Sequence, residues 1–224
     1  MQKKNNLLAR DLRKTFRQQE ASIEVLRGVN LDISTGEIVA VLGSSGSGKS
    51  TLLGVLAGLD SPDSGSVIID GESLYEMPQE DRTRYRASRM GMVFQNFHLM
   101  NHLTALENVA LPMEILGQAS PESEAEILLK SVGLEHRLRH LPSQMSGGEC
   151  QRIAIARALA IKPKIILADE PSGNLDQSTS ARVMGLFFEQ LRSRSVSCVL
   201  VTHNLELAKL CDRSLSMREG ILWD

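Results

Sequence analysis

Residues 43–51 have the sequence of a phosphate-binding loop. The segment GSSGSGKST fits the pattern G-x-x-x-x-G-K-[ST], with an apolar run before it and a helical segment after it. Its glycines let main-chain N–H groups approach phosphate oxygens, Lys49 brings a positive charge to the β and γ phosphates, and the Ser50 hydroxyl can bind Mg²⁺. A glycine-rich turn that binds nothing is the alternative, which this context disfavours. The candidate residues are Gly43, Ser44, Ser45, Gly46, Ser47, Gly48, Lys49, Ser50 and Thr51.

A second helix start suited to phosphate lies further along the chain, in MSGGECQRIAIARAL (145–159). Ser146 begins an S-x-x-E capping pattern with Glu149, and Gly147 and Gly148 leave the first helical turn without side chains. Bare N–H groups and the positive end of the helix dipole favour a phosphate there. A single nucleotide bound to one monomer needs only one of these two helix N-termini. We therefore expect the second to serve the nucleotide of a partner subunit.

Polar side chains follow three of the apolar runs. Asp169 and Glu170 are adjacent; Asp169 can enter the Mg²⁺ shell, and Glu170 can orient a water for attack on the γ phosphate. A pair of solvated acids is the alternative. Gln95 could bind Mg²⁺ or that water, against the alternative of an ordinary surface amide. His203 could contact the γ phosphate, although a buried structural histidine is favoured when its position is taken alone.

The apolar runs alternate with helical segments, which predicts a mainly parallel α/β sheet with helical crossovers. Gly43, Gln95, Asp169 and His203 each stand at or just after the end of a run. Because ligands bind outside the carboxyl ends of such strands, we expect one site to collect them. The readable strands lie at 38–42, 66–70, 90–94, 164–168 and 198–202.

A helical insertion separates the third and fourth of these strands. Thr104 and Glu107 predict a capping box, Ser120 with the following proline begins a second helix, and Gly133 ends it. Residues 214–223 at the end of the chain predict a small hairpin.

Composition limits the class of protein. The formal net charge is −2 with basic residues spread along 224 residues, so a nucleic-acid surface is disfavoured. Cys150, Cys198 and Cys211 form no C-x-x-C pair, which argues against disulfides or zinc and for a reducing compartment. No apolar run is as long as a bilayer span, and the first residues lack the apolar core of a signal peptide. We expect any membrane role to come from a partner.

Together these motifs resemble the ATP-binding cassette (ABC) ATPases over nearly the whole chain. The phosphate loop, Gln95, the signature (usually LSGGQ, here MSGGE), the Walker B acids, the D-loop GNLD ending at Asp176, and His203 follow the family's order. The resemblance implies that Glu170 is the catalytic base and that the signature binds the γ phosphate of the opposite subunit. It also matches Phe16 to the aromatic residue that stacks on adenine.

The resemblance implies a P-loop NTPase fold of the RecA-like kind. A mainly parallel core of about 1–95 and 164–224 would carry an antiparallel β subdomain and an inserted α-helical subdomain of about 96–163, in one domain over 1–224. It implies ATP and Mg²⁺ as cofactors, an ATP-dependent homodimer, and an integral membrane permease-like partner that holds the cytoplasmic chain on the inner membrane. The implied Mg²⁺ ligands are Ser50, Gln95 and Asp169.

Within the family, SSGSGKSTLL and ADEPSGNLD resemble the lipoprotein-release, macrolide-export and FtsE class. We expect ATP hydrolysis coupled to lipoprotein release or export in the envelope. A regulatory, mechanotransmitting ATPase that controls an envelope enzyme through its membrane partner is the alternative. A soluble ABC protein of DNA repair or translation is a third hypothesis, but such proteins normally have longer chains than this one.

Two further positions have alternative interpretations. Residues 95–100 and the helices after them are the expected docking surface for the membrane partner, although Phe97, Leu99 and Met100 could instead be core. Cys150 adjoins the signature, so its alkylation could impair dimer closure, and simple packing is an equal alternative.

Overall fold

The structure is a computed structural model that describes residues 5–18 and 21–223. Within those ranges the chain forms two sheets, seven α-helices and a 3₁₀ turn at Pro142–Gln144. The strands are β1 (Asn5–Gln18), β2 (Ala21–Ser34), β3 (Ile38–Leu42), β4 (Ser64–Ile69), β5 (Glu72–Ser73), β6 (Met90–Phe94), β7 (Ile165–Asp169), β8 (Ser197–Thr202), β9 (Arg213–Arg218) and β10 (Ile221–Trp223). The helices are α1 (Lys49–Leu56), α2 (Gln79–Arg89), α3 (Ala105–Ile115), α4 (Pro121–Ser131), α5 (Gly147–Leu159), α6 (Gln177–Ser193) and α7 (Leu205–Ala208).

The predicted parallel sheet is confirmed. Its strand order is β10-β9-β3-β8-β7-β6, in which only the edge strand β10 pairs antiparallel. The register places Leu42 beside Thr202, and Asp169 between Val201 and Phe94. The carboxyl ends of β3, β8, β7 and β6 therefore lie side by side, and residues that follow them share one edge of the sheet.

The segment 66–70, which we predicted among the strands of the parallel sheet, lies elsewhere. It belongs to β4 of a separate antiparallel sheet with the order β2-β1-β4-β5. Val67 and Ile69 are fully buried whereas Ser66 and Ile68 are partly exposed. This alternation is typical of an antiparallel sheet covered on one face, and the apolar composition of the run concealed it.

The central strands are buried on both faces, which explains their uninterrupted apolar sequences. In β8, Cys198 and Leu200 pack with the helices α3 to α6. Val199 and Val201 point to the other face, where they pack with α1 and the antiparallel sheet. Successive side chains of a strand point in opposite directions, so one short strand joins two hydrophobic cores.

The inserted helices begin and end close to the predicted residues. Thr104 and Glu107 form a complete capping box at α3, and α4 ends before Gly133, whose φ is 71°. The helix α4 begins at the predicted proline, but Ser120 makes no side-chain cap and has a left-handed backbone. β9 and β10 form the predicted hairpin. No helix of the described residues is long and apolar enough to cross a membrane.

Candidate active site

The phosphate loop connects the end of β3 to the start of α1. Gly46 and Gly48 have φ values of 79° and 105°, which favour glycine. A Cβ atom at Gly48 would lie 2.8 Å from the carbonyl oxygen of Val25, and one at Gly43 would lie 2.5 Å from that of Met217. Side chains are therefore excluded at these points, because the loop packs closely against the backbone of β2 and β9.

Lys49 is the cation of this loop. Its Nζ donates to the carbonyl oxygens of Gly43 and Ser44 at 2.8 and 2.9 Å, and the residue is only 8% exposed. The Ser47 hydroxyl is buried and has no hydrogen-bond partner among the described residues. This hydroxyl does not line the cleft beside the loop, so Lys49 is the side chain of the pair that can meet a phosphate there. The loop thus fits a nucleotide phosphate chain.

A cleft of about 580 Å³ joins the loop to most of the predicted site residues. Its volume is that of a small-molecule site. Phe16 and Val25 enter from the antiparallel sheet, and the remaining side chains come from the edge of the parallel sheet. Phe16 is 43% exposed, and the Lys14 ammonium lies 5.1 Å from its ring centre. The cleft-lining residues predicted from sequence are Phe16, Ser45, Gly46, Gly48, Lys49, Ser50, Thr51, Gln95, Asp169, Glu170 and His203.

Asp169 and Ser50 place two oxygen atoms together beside the phosphate loop. Burial raises the pKa of Asp169, and a hydrogen bond with the Ser50 side chain partly offsets that effect. Carboxylate and hydroxyl oxygens suit Mg²⁺, which keeps several waters and takes few protein ligands. The donor set therefore fits an ion shared with nucleotide phosphates.

Glu170 points away from Asp169, toward the end of β8. Its backbone φ is 45°, an uncommon left-handed value for a residue with a side chain. Its carboxylate accepts from the Thr202 hydroxyl at 3.2 Å and lies 2.9 Å from Nδ1 of His203. His203 is 72% exposed in its side chain and Glu170 17%. The alternative of a buried structural histidine is therefore wrong.

Gln95 lies at the rim of the cleft against the D-loop. Its Nε2 donates to Oδ1 of Asn174 at 3.0 Å, and the Asn174 amide returns a bond to the Gln95 carbonyl oxygen at 3.1 Å. A Cβ atom at Gly173 would lie 2.7 Å from Gln95 Nε2, so the two segments are in close contact. Asp176, the last residue of the D-loop, caps α6 through the amides of Ser178 and Thr179.

The signature residues lie outside this cleft. Ser146 caps α5, its hydroxyl accepting from the Glu149 amide at 3.3 Å while the Glu149 carboxylate accepts from the Ser146 amide at 2.9 Å. The hydrogen bond from the Ser146 backbone to this carboxylate is the main cause that lowers the pKa of Glu149. Gly148 packs on α6, where a Cβ atom would lie 2.5 Å from Thr179. Ser146, Gly148 and Glu149 line a separate pocket of about 260 Å³.

Three residues of the site carried no decisive sequence signal. Thr202 orients Glu170 but ends a strand as threonines commonly do, and Asn174 contacts Gln95 from within the GNLD segment. Val25 lines the cleft from a strand distant in sequence. Cys150, in contrast, is buried with its Sγ 3.7 Å from the Pro142 carbonyl oxygen, and burial raises its pKa. These properties favour the packing interpretation of Cys150.

The fold and the cleft define a P-loop ATPase, and comparison with known proteins defines its family. A family model described as ABC transporter matches residues 26–173, so the chain belongs to the ABC transporter family. It is an ATPase of that family, with ATP and Mg²⁺ as cofactors.

Individual relatives match over almost the full chain. The lipoprotein-releasing system ATP-binding protein LolD 2 of Caulobacter vibrioides is 46% identical over 96% of this chain and 96% of its own length. The uncharacterized ABC transporter ATP-binding protein YbbA of Escherichia coli K12 is 47% identical over 94% of this chain and 93% of its own. A solved dimeric ATP-binding cassette, in a post-hydrolysis state with ADP and Pi, has a TM-score of 0.88, 38% identity and 96% coverage of both chains.

Proposed function

We propose that this chain is the ATP-hydrolysing subunit of an inner-membrane ABC complex that releases or exports lipoproteins in the envelope. The 46% identity with a lipoprotein-releasing system subunit over 96% of both chains supports the substrate class. ATP hydrolysis by this chain supplies the energy. An integral membrane permease-like partner binds and moves the substrate, and it holds this subunit at the cytoplasmic side of the membrane.

The observation that carries the proposed ATP-hydrolysing role is the separation of the two phosphate-binding helix starts. The phosphate loop lines one pocket, and the signature residues line another. In our proposal two copies pair so that Ser146 and the glycines after it face the γ phosphate in the partner's cleft. Each dimer then encloses two ATP molecules, as expected from the dimeric state of the solved cassette relative.

Within each composite site the residues have distinct roles. Lys49 binds the β and γ phosphates, and Ser50, Asp169 and Gln95 hold Mg²⁺. Glu170 accepts a proton from the attacking water, and His203, in contact with the Glu170 carboxylate, contacts the γ phosphate. Asp176 orders the D-loop at the dimer interface. Phe16 stacks on adenine at the open end of the cleft.

The surface for the membrane partner lies after Gln95. Met100 is 44% exposed, whereas Leu99 packs against the core formed with the helices. Leu99 therefore follows the core-packing interpretation, whereas Met100 is available to dock the membrane partner.

Reconstitution tests the proposed substrate directly. The chain would be purified with its co-isolating membrane protein, inserted in proteoliposomes loaded with a labelled lipoprotein, and supplied with ATP and a periplasmic acceptor. We expect ATP-dependent transfer of the lipoprotein, lost in a Glu170→Gln complex. ATP-dependent stimulation of an envelope hydrolase without any lipoprotein transfer would support the regulatory alternative instead.

A further inference from the structure

The backbone that follows Gln95 is held in an unusual conformation. Phe97 and His98 have φ values of 58° and 47°, two successive left-handed residues that both carry side chains. Such a pair persists only where surrounding contacts compensate for its cost. The structure identifies two of those contacts, and both come from the signature helix α5.

The first contact is the side chain of Arg157, near the end of α5. Its Nη1 donates to the carbonyl oxygen of His98 at 2.6 Å and its Nη2 to that of Phe97 at 2.8 Å. The planar guanidinium thus matches two consecutive carbonyl groups. No carboxylate of the described residues forms an ion pair with Arg157, and burial lowers its pKa. A partly buried cation whose recorded partners are two loop carbonyls is best explained by a role in shaping that loop.

The second contact is at the other end of the same helix. A Cβ atom at Gly147 would lie 3.7 Å from Cζ of Phe97, so the Phe97 ring rests beside the signature glycine. Ten residues separate Gly147 from Arg157, a distance of about 15 Å along an α-helix. Arg157 therefore binds the backbone of the loop, and Gly147 contacts the Phe97 side chain. These two contacts lie at well-separated points of one rigid helix.

We propose that Arg157 is a positioning residue that fixes the loop 95–98 to α5, so that the signature and the Gln95 amide move as one unit. Closure of the signature on a partner's nucleotide would then also set the position of Gln95 at the Mg²⁺ side of its own cleft. The functional part rests on the Mg²⁺ role proposed for Gln95. The structural part rests only on the contacts of Arg157.

Hydrogen exchange tests the structural part. Arg157→Met keeps an apolar stem and removes both donors, so peptides covering residues 95–98 should exchange faster in the full-length variant. Arg152→Met is the matched control, because Arg152 also lies on α5 and donates to a backbone carbonyl, that of Val132 at 3.0 Å, away from this loop. Equal exchange of 95–98 in wild type and Arg157→Met, or equal acceleration in both variants, would overturn the proposal.

Labelled-ATP binding tests the functional part without turnover. In EDTA, Arg157→Met should bind ATP as wild type does, because Lys49 and its loop are unchanged. The Mg²⁺ concentration that half-saturates the Mg²⁺-dependent change in binding should rise about 10-fold, the size typical for loss of an outer-shell partner of a metal site. Arg157→Lys keeps the charge and one donor, so it should show a smaller rise. It also replaces Arg157→Met if that variant does not fold.

A double variant separates this idea from a general loss of stability. If Arg157 acts through Gln95, Arg157→Met should add nothing to the Mg²⁺ requirement of Gln95→Ala. Additive effects, or a shift in Arg157→Met with none in Gln95→Ala, would contradict action through Gln95. The assay uses the chain without a membrane protein, so failure here is distinct from failure of the lipoprotein-release proposal.

Discussion

The Glu170 carboxylate lies 2.9 Å from Nδ1 of His203, across the ends of two neighbouring parallel strands. The Thr202 hydroxyl supports the same carboxylate from the final position of β8. The proposed base is thus oriented by the strand beside its own. Because His203 remains largely exposed, one face of the pair is free to meet a γ phosphate.

This pair predicts that His203→Ala separates binding from hydrolysis. Loss of the group that orients the base and contacts the γ phosphate should lower kcat about 10²-fold, the lower end for impaired general-base catalysis. The affinity for labelled ATP should change little, because Lys49 and Phe16 remain. Exposed His136 provides the control, since His136→Ala should retain wild-type turnover. A large loss of ATP affinity in His203→Ala would show that the histidine mainly binds the nucleotide.

Asp169→Asn should raise stability while it abolishes Mg²⁺-dependent ATPase activity. Burial raises the pKa of Asp169 above its ordinary value of 3.8. The folded chain therefore binds this proton more tightly than the unfolded chain, so stability falls as pH rises through the folded pKa. Above that pKa the free-energy cost of the buried Asp169 charge is present in full, including at neutral pH. Asparagine carries no charge and keeps the hydrogen bond to Ser50.

The test is thermal unfolding in EDTA without nucleotide. The melting temperature of Asp169→Asn should exceed that of wild type at pH 7.5, and the difference should shrink as the pH approaches the raised pKa. A variant that is less stable than wild type at pH 7.5 would contradict the burial argument.

Two fully buried amides predict opposite effects on stability. Both polar atoms of the Gln151 side chain lack hydrogen-bond partners among the described residues, whereas Asn108 accepts from the Met100 amide and donates to three carbonyl groups, including that of Leu103. Gln151→Leu should stabilise by about 1 kcal/mol, and Asn108→Leu should destabilise by about 2 kcal/mol or more, because it leaves buried groups unpaired. Urea unfolding measures both. Similar losses in the two variants would show that Gln151 is hydrogen-bonded in solution, for example to buried water.

The sequence was most informative where local chemistry and local structure agree. The loop 43–51, the capping boxes at Thr104 and Ser146, and the five predicted strands follow from short patterns whose physical requirements are local. In a parallel sheet, residues that follow the strands meet at one edge even when they are distant in sequence. This geometry is why Gln95, Asp169 and His203 could be expected in one cleft.

Long-range contacts explain what sequence reasoning missed. The segment 66–70 joins an antiparallel sheet because its partner is β1, a pairing that no local pattern specifies. The contact of Arg157 with the loop after Gln95 spans about sixty residues of sequence, and basic residues in the last turn of a helix are common for other reasons. Only the folded chain shows which carbonyl groups such a side chain reaches.

Cys150 should be resistant to alkylation in the folded chain. It is 7% exposed, and burial followed by the nearby Glu149 raises its pKa, so both access and the thiolate fraction are low. Labelling with N-ethylmaleimide at pH 7.5, followed by peptide mass analysis, should show Cys150 modified in urea but largely unmodified in buffer. Rapid native labelling together with loss of ATPase activity would restore a role for this thiol near the dimer interface.

The signature's proposed action in trans requires a matched pair of variants. Ser146→Arg places a bulky side chain where the partner's γ phosphate must sit, but it also removes a capping box. Thr104→Arg removes an equivalent capping box at α3, so it controls for the loss of helix stability. Both single variants should bind labelled ATP with near wild-type affinity.

Size-exclusion chromatography of Glu170→Gln tests the central claim most directly. With hydrolysis blocked, this variant should elute as a dimer in Mg²⁺ and ATP and as a monomer in ADP. Adding Ser146→Arg should return it to a monomer in ATP, whereas adding Thr104→Arg should leave the dimer intact. A Glu170→Gln chain that binds ATP yet stays monomeric, or a dimer that survives Ser146→Arg, would contradict a nucleotide site shared between the phosphate loop of one subunit and the signature of the other.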